Sequence, residues 1–289
     1  MRTVTGATER AAIDTLRAVG WGSVEQAVEQ WYAQGGGETD GGGNGGGATS
    51  DKKRAGGAIA AAEALFLEYK DSHTDSVLAE GIARLCDDLG VDPSDPVMLA
   101  LSWRWGAATM CEWSRDEFVG GMRGILGGGG GGGGASGGSS ASGGSGTAAA
   151  TAAAVQQGLA ALKGALPGLR REMGEPQKFS QMYAYAFGWA AEKGQKCLQL
   201  DTALAMWRLL LGEGTPRPGG PWPLLERWLD FLKKAHAGRA VGRDTWVQLL
   251  EFVRTVRADM SDYDENGAWP YLLDEFVEQC RKDGTVTAA

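Results

Sequence analysis

Histidine is scarce in this chain: two residues in 289, against 36 carboxylates and 28 lysines and arginines. His73 lies in a polar stretch, and His236 follows Lys233 and Lys234 closely. Neither stands beside a Cys or Ser in a nucleophile motif, so the sequence offers no ready machinery for covalent or acid–base catalysis. His236 reads instead as a cation at a helix C-terminus, where unpaired carbonyls carry partial negative charge. Cysteine is sparse too. Cys86, Cys111, Cys197 and Cys280 are scattered with no Cys-x-x-Cys pair, which argues against a zinc site and against a disulfide framework. Reduced, mostly packed thiols are expected, as in the cytoplasm and nucleus, and Cys111 reads as a core residue. No stretch of about 18 uninterrupted apolar residues exists, so no membrane span is expected. The opening MRTVTGATER lacks the apolar run of a secretory signal. A net charge of −8 argues against nucleic acid or an anionic membrane as partner. No metal and no cofactor is implied by any of these patterns.

Glycine and tryptophan are abundant, with 47 and 11 residues respectively, and 43% of the chain is apolar. Much of the glycine falls in two tracts, 35–47 and 127–146. Such tracts have nothing to bury and lose much freedom on ordering, so they read as flexible linkers. They divide the chain into a short unit at 1–34, a Gly-rich linker at 35–54 and a main domain at 55–283 interrupted by a Gly/Ser-rich insertion at 127–146. Outside them apolar residues recur at helical spacing, as in Trp246, Leu249, Leu250, Val253 and Val256. Start signals agree: Ser114 with Glu117 forms a capping-box pattern, Asp244 sits where an N-cap belongs, and Pro270 suits a first helical position. VQQGLAALKGAL reads as a helix ending before Pro167. Alternating strand patterns are absent, so the expected class is all-α.

Charge is unevenly placed. Between Asp244 and Asp283 there are ten acids and four bases, a net −6 out of the chain's −8. Within this segment Asp262, Asp264, Asn266 and Gly267 reproduce the first half of an EF-hand calcium loop. The second half fails: the position that needs a bidentate Glu, number 12 of the loop, is Leu273, and position 9 is Pro270. In the last helix Leu273, Phe276, Val277 and Cys280 share one face, which puts Asp274, Glu275 and Glu278 off it, towards solvent. A solvated helix side explains such acids, and so does a surface that steers a basic partner.

DMSDYDENGAWPYLLDEFVE resembles the end of the potentiating-neddylation domain of the defective-in-cullin-neddylation family. GRDTW, DPVMLALSWRWGAATMCEWSRDEFVGGM and GQKCLQLDTALAMWRLLL extend the resemblance over about residues 59–282, apart from the glycine tract. The resemblance implies a multi-helix domain of EF-hand-like helix-loop-helix character. It also implies a non-catalytic, scaffold-type ligase that holds a cullin and a neddylation conjugating enzyme together. Cullin binding then falls to Asp244, Ala268 and Asp274, which match the family's Asp–Ala–Asp patch for the cullin's basic C-terminal winged-helix domain. A pocket for the conjugating enzyme's acetylated N-terminal methionine falls to Ile82, Met98, Leu99, Leu101, Trp105, Met110, Cys111, Trp113, Trp189 and Leu209. This chain departs from the family there, with Trp105, Trp113 and Trp189 where Phe is frequent and Met110 in place of an amide. TGATERAAIDTLRAVGWGSVEQAVEQWYAQ resembles the family's ubiquitin-associated-like module, with Val19, Gly20 and Trp21 in the place of its ubiquitin-contacting loop. The alternatives are an EF-hand-like calcium-binding protein and a ubiquitin-binding adaptor.

Overall fold

The protein is described by a computed structural model covering residues 48–127 and 148–284. Val19, Gly20 and Trp21 lie outside the described residues, as do nearly all of the glycine tracts. The chain parts into two units, Met1–Asp51 and Lys52–Ala289, and apart from the first four residues of α1 the fold below is that of the second. Its helices are α1 (Ala48–Tyr69), α2 (Ala79–Leu89), α3 (Pro96–Trp105), α4 (Arg115–Leu126), α5 (Ala148–Met173), α6 (Pro176–Ala190), α7 (Leu200–Leu211), α8 (Leu225–Ala235), α9 (Arg243–Thr255) and α10 (Tyr271–Lys282). The all-α expectation holds, and no described helix is long and apolar enough to cross a membrane.

Four short strands supplement the helices: β1 (Ser76–Leu78), β2 (Glu112–Ser114), β3 (Cys197–Leu198) and β4 (Val241–Gly242). Each lies in the loop of a helix-loop-helix unit, and the loops pair antiparallel. Ser76, Val77 and Leu78 face Ser114, Trp113 and Glu112, while Cys197 and Leu198 face Gly242 and Val241. Two such pairs result, α1–α2 with α3–α4 and α6–α7 with α8–α9. Pairings this short are invisible to a search for alternation, because two or three residues cannot establish a period. Their main-chain bonds satisfy loop donors and acceptors that would otherwise be left orphaned.

Helix α5 joins the two pairs and packs on α3, α4 and α6. It was expected to stop before Pro167, yet it continues to Met173. Leu159, Leu162, Leu166, Leu169 and Met173 form one buried stripe that spans the proline. Pro167 itself is exposed, as is Lys163, whose carbonyl loses its helical donor. Water can satisfy that carbonyl, so apolar burial on the opposite face outweighs an interior-proline cost of about 3 kcal/mol. The start of α3 is clamped to α5 by Arg170, whose two guanidinium nitrogens each donate to an oxygen of Asp95 at 2.8 Å. Asp95 also caps α3 by accepting from the Val97 N–H at 2.9 Å.

The predicted capping box at Ser114 and Glu117 is present: the Ser114 N–H donates to Glu117 at 2.8 Å, and the Glu117 N–H to the Ser114 hydroxyl at 3.4 Å. Two other start signals are displaced. The N-cap of α9 is Gly242, not Asp244, because β4 leads straight into the helix. The N-cap of α10 is Pro270, one residue before the position expected for it.

Aromatic rings dominate the core between α6 and α10. Tyr183, Trp246 and Trp207 form a stack, with centroids 4.7 Å and 5.2 Å apart. Trp207 meets Trp228 edge-on at 5.6 Å, and Trp228 meets Phe276 of α10 at 5.2 Å. In the first pair, Trp105 lies against Trp113 and Phe118 at 4.9 Å and 5.0 Å. Gly121 permits that packing. A Cβ there would stand 2.0 Å from Trp105 Cδ1, so Gly121→Ala must displace a buried indole. We expect a loss of about 1–3 kcal/mol in a urea-unfolding experiment; an unchanged midpoint would show that Trp105 is free to move.

Candidate functional site

The C-terminal acids sort into two groups. In the connection between α9 and α10, three aspartates accept from backbone N–H groups of that same connection or of its start. Asp259 accepts from the Ser261 N–H at 3.1 Å and its hydroxyl at 2.8 Å. Asp262 accepts from the Arg257 N–H at 2.9 Å and its Nε at 3.2 Å, and Asp264 from the Asn266 N–H at 2.9 Å. Backbone donors hold the Asp259 and Asp262 carboxyls below the usual aspartate range. Among the described residues no three His, Cys, Asp or Glu side chains gather into a metal-binding group. Within D-x-D-x-N-G, Asp264 makes an Asx-type turn with Asn266, and Asp262 bonds back to Arg257.

The second group lines a cleft. Tyr263, Glu265, Asp274, Val277, Glu278 and Arg281 line a shallow, open cleft of about 280 Å³ between the connection and one face of α10. Asp274 and Glu275 were expected in solvent, but both are half-buried, whereas Glu278 is exposed. The reason for Asp274 is the Tyr263 hydroxyl, which donates to its Oδ1. Tyr263 is in turn pinned by a stack with Trp269 at 6.1 Å and an edge contact with Phe252 at 5.9 Å. Arg281 pairs with Glu265 at the other end of the cleft, and Glu278 pairs with Lys282 at 2.6 Å. Glu265 and Glu278 are thus each paired with a cation, and Asp274 is the lining carboxylate without an ion pair among the described residues, which suits it to a basic side chain.

Of the other two predicted cullin-binding positions, Ala268 is exposed, three residues before the start of α10. Asp244 is exposed in the first turn of α9. Its carboxylate caps nothing, so its favourable local interaction is with the helix N-terminal dipole alone. Among the described residues no hydrogen bond or ion pair joins Asp244 to Ala268 or Asp274. Two aromatic residues were not anticipated in this region. Tyr263 sits inside the acidic stretch as Asp-Tyr-Asp, where an aromatic between turn-forming acids is the available signal. Tyr271 is 75% exposed at the start of α10, off the Leu273–Phe276 face that the helical period marks as buried.

The residues expected to form the methionine pocket divide by burial. Met98, Leu99, Leu101, Trp105 and Trp113 are core residues, with Trp113 donating its indole N–H to the Ser102 hydroxyl at 3.1 Å. Ile82, Trp189 and Leu209 are half-buried and packed against that core. Met110 and Cys111 are exposed. The core reading of Cys111 is therefore corrected: it occupies the connection between α3 and β2 with φ +62°, pointing away from the packed interior. Cys86 and Cys280 are buried, and burial pushes both thiols up to about 11; Cys197 is half-buried. Backbone bonds draw the Met110 segment to the end of α6, since the Met110 N–H donates to the Trp189 carbonyl at 2.9 Å. Tyr185 Oη also donates to the Ala107 carbonyl at 2.7 Å. Trp189 on α6 and Leu209 on α7 come from the second helix-loop-helix pair, the other positions from the first.

Comparison with known proteins places this arrangement. A family model described as "Cullin binding" matches residues 161–279, which include Asp244, Ala268 and Asp274 and all of the cleft lining but Arg281. DCN1-like protein 3 of Xenopus laevis is 34% identical over 219 residues, covering 75% of this chain and 61% of that protein. The human DCN1-like protein 3 is 33% identical over the same length, covering 60% of its own. The match thus spans less than two thirds of those relatives. DCN1-like protein 5 of Bos taurus is 33% identical over 216 residues, or 74% of this chain and 75% of that protein. With the paired helix-loop-helix fold and the family's motifs in order, the chain belongs to the DCN1-like, defective-in-cullin-neddylation family.

Proposed function

We propose that this protein promotes cullin neddylation as a non-catalytic scaffold. It binds the basic C-terminal winged-helix domain of a cullin through Asp244, Ala268 and Asp274. The neddylation conjugating enzyme binds through the region of Met110, Cys111 and Trp189. The observation that carries this reading is the acidic cleft at Asp274 inside the segment matched as cullin-binding. Charge of one sign on a rigid helix steers encounter with a basic domain and sets its register. Ala268 leaves room for close backbone approach between the two acids.

The gain for the reaction is proximity. A conjugating enzyme carrying a modifier as a thioester and a cullin carrying the acceptor lysine become one complex. Ideal orientation of two reactants can lower a barrier by about 7–11 kcal/mol, and a two-point tether supplies a part of that. The chain needs no nucleophile of its own for this work. In a reconstituted reaction, adding the protein is expected to raise the cullin neddylation rate at limiting conjugating enzyme. Equal rates with and without it would remove the scaffold role.

A further inference from the structure

Asp274 Oδ1 is occupied by the Tyr263 hydroxyl, while Oδ2 has no protein donor among the described residues. The hydroxyl can only donate here. Burial, then the hydrogen bond to Asp274, raise the Tyr263 phenol well above its ordinary value, so it stays protonated at any working pH. The ring cannot swing away, being held by Trp269 on one face and Phe252 at its edge. A carboxylate fixed by one oxygen presents the other in a set direction. Asp274 lines the cleft together with Glu265 and Arg281, which pair with each other.

We infer that Tyr263 is a positioning residue of the docking surface: it holds the Asp274 carboxylate at the cleft so that Oδ2 receives one lysine or arginine side chain of the partner. This inference rests on the cullin-docking reading above. It assigns the entering group to a basic side chain, since the cleft is too acidic for an anion and too small for a helix. An immobilised acceptor avoids the ordering cost that a free surface aspartate incurs on binding.

The test is a double-mutant cycle on binding of a cullin C-terminal domain, measured by calorimetry with wild type, Tyr263→Phe, Asp274→Ala and the double variant. Tyr263→Phe keeps the stack and removes only the hydroxyl. It is expected to weaken binding about tenfold, in line with loss of a hydrogen bond to a charged group. In the Asp274→Ala background the same change is expected to do nothing further, because the oxygen it positions is gone. A thermal midpoint of Tyr263→Phe near that of wild type shows that the loss is not one of folding. If Asp274→Ala weakens binding and Tyr263→Phe does not, the positioning role is overturned and docking stands. An equal tenfold loss in both backgrounds also overturns it, since Tyr263 would then act without Asp274. If neither single variant changes affinity, the docking reading itself fails.

Discussion

Trp246→Ala is expected to destabilise the protein by about 3–5 kcal/mol, the range for emptying a large aromatic site. The indole is fully buried and is sandwiched between Tyr183 at 4.7 Å and Trp207 at 5.2 Å. Its removal leaves a void that neither ring can fill without breaking other contacts, for Trp207 is also held against Trp228. One hydrogen bond is lost with the ring, that of the indole N–H, while the backbone carbonyl of Trp246 keeps its donor. Trp246 donates its N–H to the Tyr183 carbonyl at 2.9 Å, and Tyr183 donates its hydroxyl to the Trp246 carbonyl at the same distance. Trp207 completes the set by donating to the Tyr183 hydroxyl at 2.8 Å. Trp246→Phe separates the two contributions: it retains most of the stack, loses the indole donor, and is expected to cost about 1 kcal/mol more than its volume change alone. Guanidinium unfolding with a common slope provides the measurement. A loss below about 1.5 kcal/mol for Trp246→Ala would mean that the site collapses, contrary to interiors packed this tightly.

Asp274→Lys is expected to lower affinity for a cullin C-terminal domain by about 2–5 kcal/mol, the cost of breaking a desolvated charge pair at an interface. The substitution places an ammonium beside Tyr263 and at the cleft meant for a basic side chain, so attraction becomes repulsion. Asp244→Lys should cost less. Asp244 is exposed and has no ion pair among the described residues, so its reversal acts mainly through association rate and through the salt dependence of binding. Conjugating-enzyme affinity is expected to stay unchanged in both, since Met110, Cys111 and Trp189 lie in the connection after α3 and at the end of α6. Parallel calorimetry with each partner distinguishes these outcomes. Cullin affinity that survives both reversals would remove the acidic surface from the mechanism.

Helix positions and buried faces were legible in the sequence wherever an apolar stripe ran without interruption. Leu273, Phe276, Val277 and Cys280 are all buried, as the period requires, and the capping box at Ser114 sits where its spacing puts it. Legibility failed where local and tertiary forces disagree. Pro167 is a local stop signal, yet the stripe from Leu159 to Met173 overrides it by burial against neighbouring helices. Asp244 has the chemistry of an N-cap, but strand pairing at Val241–Gly242 moves the helix start ahead of it. Cys111 has the composition of a core residue, but the connection between α3 and β2 bends it outward.

The amino-acid order by itself determined the helical class, the buried faces, the family motifs and the concentration of negative charge near the C-terminus. These depend on residue type and spacing over a few turns, which the chain carries locally. Tertiary structure decided which acid is held at the cleft. Asp259, Asp262 and Asp264 accept from backbone N–H groups two to five residues away in the chain, a local choice. Asp274 became a held and directed carboxylate because Tyr263 is itself fixed by Trp269 and Phe252. Identical side chains acquire different roles through the donors that surround them, and for Asp274 that placement exists only once the helices have packed.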